Sequence, residues 1–398
     1  LPQILTHFVN LMVGSIMLVV TVAGIFYYLA ACYAVFRFKQ ESHGDHALIQ
    51  PPVTIVKPLH GADSDTYGAL ESFCCQNYPC FQMIFSVRSP ADPVVAVVEQ
   101  LIHDYPHLDL CLVVSDHSWG ANNKVNNMAN ALAHAKHPIY VFADSDIWVQ
   151  PDDLVRILQP LANPHVGLIT TMYRTRPKGW LAAFEALGTS TEFFPSVLLA
   201  RQLEGMAFAF GATIVIRRDV LESFGGLPVI ANYLADDYKI GACTAKAGYQ
   251  VVLSDCVVEH ALTTADLKSL ILHQLRWVRG NRFSRPWGTL GLLFSYGTVS
   301  SLAFLLLTNG SLLAVLLFSL SWMLRYLLGW MVGVRLLQDQ PASRLLWLAP
   351  VRDLVSFLIW SASWFGSDVV WNNRHFRLSK GGWIREYPSP TSPLPPLR

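Results

Sequence analysis

The chain has 398 residues, 52% of them hydrophobic and only 14% charged, against about 25% charged in ordinary soluble domains, which points to a membrane protein. A net charge of +1 with no basic face excludes the usual nucleic-acid binder, whose phosphate contacts need clustered Lys and Arg. Seven cysteines, including the adjacent pair Cys74 and Cys75, show no C-x-x-C spacing; they support neither a zinc site nor a disulfide framework and fit a reducing, cytosolic setting.

In chain order, no Lys, Arg, Asp or Glu precedes Arg37. The run from 9 to 36 is long enough for one transmembrane helix, which takes about 20 residues, and residues 1–37 form that unit. It lacks a basic n-region and is too long for a signal peptide. Arg37 and Lys39 follow at once, so the positive-inside rule places the next domain in the cytoplasm.

Residues 50–285 alternate short β runs with helical stretches. VTIVK (53–57), QMIFSV (82–87), LCLVVS (110–115) and IYVFA (139–143) are separated by amphipathic segments near 64–75, 93–104 and 123–136. This alternation predicts βαβ units and a Rossmann-like, mostly parallel α/β sheet, whose ligands bind beyond the carboxyl ends of the strands. Three strand ends converge there: Pro58 to Gly61, the segment containing Asp92, and Asp144. The last opens the pair Asp144 and Asp146. With one residue between them, both carboxylates of an extended chain point the same way, and each raises the other's pKa unless a cation intervenes. Hard oxygen ligands favour Mg²⁺ or Mn²⁺ completed by water and phosphate. The plainer reading of a bare D-x-D is a polar turn.

No G-x-G-x-x-G follows the first strand and no G-x-x-x-x-G-K-[ST] occurs, so a dinucleotide fingerprint and a P-loop are both absent. A nucleotide here would be held through a metal, the pattern of a GT-A nucleotide-sugar transferase over residues 50–264. Residues 265–287 read as an amphipathic interfacial helix. An apolar block then runs without Lys, Arg, Asp or Glu from 286 to 324 and fits two spans broken at Thr308, Asn309 and Gly310. Residues 345–367 are apolar but carry Arg352 and Asp353, and read as a further span or an interfacial helix. The C-terminal membrane region is 288–371, and 385–398, ending in PSPTSPLPPLR, is predicted to be a disordered tail.

VKPLHG (56–61), SFCCQNYP (72–79), ADP (91–93), GANNKVNN (120–127), ADSDIW (143–148), FGGLPV (224–229), YLADDY (233–238) and Arg276-Trp277 occur in the order found in ceramide glucosyltransferase-like enzymes, which the chain resembles over residues 50–285. SVRSPADP and AFAFGATI look closest to the hopanoid biosynthesis-associated glycosyltransferases. The resemblance implies a UDP-sugar donor, with N-acetylglucosamine favoured, and a lipid acceptor, a hopanoid such as bacteriohopanetetrol or else ceramide. It also implies an integral protein of a bacterial inner membrane. Carried over by position, Asp92 lies near the uracil, with Pro58 and Leu59 on the donor side, and Asp144 with Asp146 is the metal and diphosphate motif. Lys124 contacts the donor, and Asp237, paired with Asp236, is the base. Arg276 and Trp277 lie by diphosphate and acceptor.

The plainer alternatives are specific. Asp236 and Asp237 would suit a helix N-terminus. Arg279 and Arg282 would snorkel to headgroups. Gly211 would permit a bulge or close backbone approach, with acceptor contact second. Two departures stand out: His273 fills the slot three residues before Arg276, with Gln274 next to it, and GTSTEFFPS (188–196) has Thr191 and Glu192 where ceramide enzymes generally carry a histidine. Residues 180–203, with the helix bearing Arg276 and Trp277, are predicted to form the mouth for the lipid head, the alternative being a buried helix pair. Other functional classes are a non-catalytic nucleotide-sugar sensor or scaffold, and a processive polysaccharide synthase, which would need more spans.

Overall fold

The computed structural model describes residues 2–41, 48–372 and 374–387. Helix α1 (Pro2–Glu41) begins earlier and ends later than the apolar run, and its last residue, Glu41, pairs with Arg201 at 2.7 Å. The α/β domain follows with β1 (Val53–Pro58), α2 (Thr66–Cys74), β2 (Phe81–Val87), α3 (Val94–Asp104), β3 (Asp109–Val114), α4 (Asn123–Leu132) and β4 (Ile139–Ala143). All four expected strands and the three expected helices are present.

Strands β1 and β4 are buried along their whole length, as their unbroken apolar runs require of a sheet covered on both faces. Alternate residues divide the core. Ile55, Phe85 and Val141 join one cluster, while Val56, Ile84 and Phe142 pack with Val125 and Met128 of α4 in the other. The β1–β2, β2–β3 and β1–β4 pairs are all parallel.

The second half of the sheet was less visible in the sequence. It consists of β5 (Ile147–Trp148), α5 (Asp153–Leu158), β6 (Val166–Lys178), α6 (Trp180–Gly188), α7 (Phe194–Glu204), β7 (Thr213–Arg217), α8 (Arg218–Ser223), α9 (Asp236–Lys246) and β8 (Gln250–Thr263). The eight strands lie in the order β3-β2-β1-β4-β7-β6-β8-β5. β7 is antiparallel to both β4 and β6, β6 and β8 are parallel, and β5 is antiparallel to β8. The long curled ribbon β6–β8 thereby brings residues near 260 back to the end of β4.

Helix α10 (Leu267–Ser284) leads to α11 (Pro286–Gly291), α12 (Gly297–Leu307) and α13 (Leu312–Gly329). The break between α12 and α13 falls at the predicted place, where Asn309 and Gly310 take φ of 48° and 74° and the Ser311 hydroxyl caps α13 by accepting from the Ala314 N–H. Helices α14 (Gln340–Leu345) and α15 (Ala349–Ser363) follow. Among the described residues, four segments, 12–41, 286–307, 312–336 and 340–363, are long and apolar enough to cross a membrane.

After α15 the chain forms a three-stranded antiparallel sheet, β9 (Asp368–Trp371), β10 (Arg374–Ser379) and β11 (Trp383–Tyr387). Residues 368–371 are therefore strand and not membrane helix, and 385–387, expected to open a disordered tail, are the end of β11. The rest of that tail, 388–398, lies outside the described residues. The small sheet clamps the loop before α9: the Leu234 N–H donates to the Gly382 carbonyl (3.1 Å) and the Ile384 N–H to that of Asn232 (2.8 Å).

Candidate active site

Asp144 leaves the carboxyl end of β4, where parallel strands end in open turns. Its carboxylate Oδ1 lies 2.6 Å from Lys124 Nζ. Lys124 sits in the first turn of α4, whose N-cap Asn122 accepts from the Val125 N–H. The same ammonium is 3.6 Å from Asp236 Oδ2, and Asn122 Nδ2 donates to Asp236 Oδ1 (3.3 Å) and to the Tyr233 carbonyl (2.8 Å). The start of α4 thus joins the end of β4 to the acid pair at the start of α9.

Gly211 shows how tightly these groups converge. A Cβ built there would lie 3.2 Å from Asp237 Oδ2, 3.5 Å from Asp144 Oδ2 and 3.5 Å from Lys124 Nζ. The close-approach reading of this glycine is the one the geometry supports, and the group that approaches is the carboxylate cluster. Behind it, fully buried Lys57 donates from Nζ to the Asp144 carbonyl (2.9 Å) and rests 3.5 Å from the Phe73 ring centre. It was not among the predicted site residues, because VTIVK reads as plain strand.

Burial, with the neighbouring Asp236 charge second, pushes Asp237 up to about 7, against a smaller opposing pull from Lys124. Burial also raises Asp144, with Lys124 offsetting it and Asp146 adding to it. Lys124 is disfavoured as a cation by burial, but Asp144, Asp236 and Asp237 outweigh that and hold it well above the usual lysine range. Lys57 faces no such excess, and burial brings it down to about 7.

Asp146 precedes β5, and the β5–β8 pairing sets Ile147 opposite His260. Asp146 Oδ2 is consequently 3.3 Å from His260 Nε2. Burial would raise Asp146, yet His260 more than compensates and leaves the carboxyl below its ordinary range; His260 is raised in turn, Asp146 outweighing its burial. His260 is the functional candidate that sequence reasoning missed. Its only signal was a Glu259-His260 pair inside the otherwise apolar run VVEHAL, and its partner lies 114 positions away.

The residues here fit a divalent ion. Asp146 Oδ1 is buried with no hydrogen-bond partner, a costly state for a carboxylate oxygen unless a cation completes it. Asp144 and Asp146 supply hard carboxylate oxygens of the kind Mn²⁺ or Mg²⁺ take. No three His, Cys, Asp or Glu side chains among the described residues converge into a preformed cage.

The remaining predicted residues divide. Asp92 fastens two strand-end loops: its Oδ1 accepts from the N–H groups of Gly61 and Val94 (both 3.0 Å), and Oδ2 meets His60 Nδ1 at 3.1 Å. Pro58 ends β1 opposite Ser86, and the Leu59 carbonyl accepts from Asn127 Nδ2 (3.1 Å). These three line the same strand edge but have no hydrogen bond or ion pair to the carboxylate cluster among the described residues. Arg276 has neither a hydrogen bond nor an ion pair among the described residues. It lies 5.7 Å from the Trp371 ring centre, and burial lowers it to about 10 while Asp236 and Asp237 oppose the shift. It is therefore a cation without a fixed partner beside the acid pair. Trp277 packs edge-on to Phe193 and His273.

One sequence reading needs correction. Arg279 and Arg282 do not simply snorkel: Arg279 donates to the carbonyls of Asp368 (2.5 Å) and Phe365 (2.7 Å), and Arg282 to that of Gly366 (2.6 Å). At the departure noted in the sequence, His273 and Gln274 both turn toward Glu185, at 2.5 and 2.9 Å. Glu185 is 2% exposed and also accepts from the Thr264 hydroxyl (2.7 Å); its partners hold α6 to α10. Thr191 and Glu192 look inward as well, Thr191 accepting from Arg325 (3.2 Å) and Glu192 from Ser356 (2.6 Å).

A curled, mostly parallel sheet with an Asp-x-Asp at the end of its fourth strand, an acid pair facing it and membrane helices at both ends defines a membrane glycosyltransferase of the GT-A kind. The model of glycosyl transferase family 21 matches residues 16–384, and the chain belongs to that family. Ceramide glucosyltransferase 3 of Caenorhabditis elegans is 26% identical over 365 residues, covering 89% of this chain and 78% of the relative. Ceramide glucosyltransferase 1 of the same organism is 25% identical over 388 residues, with 92% and 79% covered. Among solved structures, the mannosyltransferase PcManGT from Pyrobaculum calidifontis, in complex with GDP-Man and Mn²⁺, has a TM-score of 0.58 at 18% identity, covering 89% of this chain and 99% of that one. At that identity the likeness concerns the fold.

Proposed function

We propose that the chain moves a sugar, N-acetylglucosamine by preference, from a UDP-sugar to the hydroxyl of a membrane lipid such as bacteriohopanetetrol, by one inverting displacement. The observation that carries this reading is the convergence of Asp237 Oδ2, Asp144 Oδ2 and Lys124 Nζ around Gly211. One group able to take a proton and one cation able to hold a leaving phosphate lie within a sugar's width of each other.

In the step, the acceptor oxygen attacks the anomeric carbon while the bond from that carbon to the β-phosphate oxygen breaks. The hydroxyl proton passes to Asp237 Oδ2. A carboxylate whose pKa is about 7 is a stronger base than an ordinary aspartate, and such general bases contribute about 10² to 10⁴ in rate. Lys124 and Arg276 offset the charge that grows on the departing diphosphate. A divalent cation held by Asp144 and Asp146, with His260 beside them, would supply further electrostatic stabilisation of that leaving group. With one carboxylate on the acceptor side and no evident nucleophile, inversion gives a β-glycoside from an α-linked donor.

A lipid acceptor follows from the membrane helices, since each CH₂ withdrawn from the bilayer costs about 0.8 kcal/mol. The active site has to meet the headgroup at the surface, and Trp180, 64% exposed at the start of α6, marks the mouth. The bacterial inner membrane belongs to the hopanoid reading, and a cytoplasmic catalytic domain rests on Arg37 and Lys39 near the C-terminal end of α1. A second reading, UDP-glucose to ceramide, is favoured by the similarity to the nematode ceramide glucosyltransferases. The hopanoid reading rests instead on SVRSPADP, AFAFGATI and the lack of histidine at 188–196. Membranes incubated with radiolabelled UDP-N-acetylglucosamine or UDP-glucose, with bacteriohopanetetrol or ceramide, with and without EDTA, separate the two. No labelled lipid under any pairing would sink both and leave the sensor or scaffold reading.

A further inference from the structure

Of the four apolar segments, 340–363 differs from the rest in where its ends are held. Asp339, just before α14, accepts from the Thr175 N–H (3.3 Å) and the Ser190 hydroxyl (2.8 Å), both in the catalytic domain. After α15, the carbonyls of Phe365, Gly366 and Asp368 are held by Arg279 and Arg282 of α10, and β11 reaches the loop before α9. Both ends are therefore on the catalytic-domain side, whereas a spanning helix separates its ends by a hydrocarbon core of about 30 Å. Helix α15 has 15 residues, about 22 Å at 1.5 Å per residue. By contrast, α11–α12 leave from Arg285, paired to Glu204 of α7, and α13 returns to Asp339, which makes two crossings.

The faces of the segment agree. Trp347, Val351, Leu354, Leu358 and Phe365 are exposed at helical spacing on one side. On the other, Asp353 receives Arg325 (2.6 Å) and the Thr298 hydroxyl (2.5 Å). Arg352 donates to Gln274 Oε1 (2.9 Å) of α10, and the Trp360 indole N–H donates to the Thr289 carbonyl (2.7 Å). Helix α15 packs against α12, whose Leu302 and Leu306 are exposed as the stripe is, so its occupant is the bilayer that α12 crosses.

We propose that α14–α15 lies in the plane of the membrane surface, with Trp347, Val351, Leu354, Leu358 and Phe365 immersed in lipid and Arg352 and Asp353 turned to the protein. The chain then crosses the membrane three times, and α15 is the platform on which α10, carrying Arg276 and Trp277, is set at headgroup level. The link runs from Arg352 through Gln274 to Glu185.

The test is sidedness and depth in the full-length protein, and needs no substrate, so a wrong acceptor leaves it intact. Epitope tags are placed within residues 42–47, beside Gly310 and after Arg398, and probed with protease in sealed vesicles of each orientation. The first and last tags should be cut from the same side and the middle one from the other. A C-terminal tag opposite the first overturns the proposal. A nitroxide at Leu354→Cys, in an active variant lacking the seven native cysteines, should lie about 5–10 Å below the phosphates, while one at Leu320→Cys in α13, ten residues or about 15 Å from Gly310, lies near the midplane. A label at Leu354→Cys that reports either the midplane or bulk water also overturns it.

Discussion

Replacing Asp237 with Asn keeps the shape of the side chain and removes the group assigned to take the acceptor proton. Loss of a general base is worth about 10² to 10⁴ in rate, or about 3–5 kcal/mol of barrier at 1.36 kcal/mol per decade. Its effect should fall on kcat, with UDP affinity within about twofold of wild type, since Lys124, Asp144 and Arg276 are untouched. In the wild-type enzyme, kcat/KM should rise with pH and level off above about 7, because the base acts only when ionised and burial holds its pKa there. The same raised pKa makes a stability prediction of definite sign. The folded state holds the Asp237 proton more tightly than the unfolded chain, so this contribution is fully present at pH 3 and is lost as pH rises through about 7. The neutral Asn variant avoids that loss. In detergent it should melt above wild type at pH 8, by roughly 2–4 °C for each kcal/mol recovered in a domain of about 150–250 residues, and the gap should close toward pH 4. Radiolabelled transfer and thermal melts check the two halves. An Asn variant with more than a tenth of wild-type kcat, or an unchanged pH profile, would refute the base assignment.

Gly211→Ala places a methyl 3.2 Å from Asp237 Oδ2; it should lower kcat by about 10²-fold through misplacement of the reacting groups, with the melting temperature little changed, and transfer assays with melts will read both. Asp146→Ala and His260→Ala should each weaken Mn²⁺ binding followed by electron paramagnetic resonance, about 10-fold or more, whereas His60→Ala, on the Asp92 loop, should leave it unaltered. Deleting 367–398 removes β9–β11 and the two backbone bonds that hold the loop before α9; activity should be lost while a UDP-binding assay still registers the donor side. Asp144→Ala should depress donor affinity and turnover together, and calorimetric UDP titration separates that outcome from the Asn variant's.

The legible part of the fold is the part written in unbroken apolar runs. β1, β2 and β4 are buried on both faces, so their sequence alone betrays them, and Asp144 was placed correctly because it ends such a run. β5 is two residues long, and β6 and β8 derive their identity from pairing with one another across some 80 positions. That pairing is what carries His260 to Asp146, so the histidine could not be found before the ribbon was. The strands β9–β11 mix charge with aromatic residues and read as tail because their burial comes from packing under α10, as at Phe376 and Ile384. Arg279 and Arg282 show the limit of periodicity: their spacing places them on a helix, but only the fold supplies the carbonyls they hold.

Lys124 explains why the two halves of the site occur together. Its ammonium touches Asp144, on the leaving-group side, at 2.6 Å and Asp236, on the base side, at 3.6 Å. Four carboxylates crowded at one strand edge repel one another, and without that ammonium burial and mutual charge would drive protons onto Asp144 and Asp237 together. One cation shared between the halves keeps Asp144 available to the donor while leaving Asp237 only partly compensated, which is the state a base needs. Lys124 is thus more than a donor contact, because its position divides the charge between two tasks. Lys124→Met should therefore do two separable things: weaken UDP binding, and move the midpoint of the kcat/KM profile above 7 as Asp237 loses its counter-charge. Loss of affinity with an unmoved midpoint would leave Lys124 as a phosphate ligand alone.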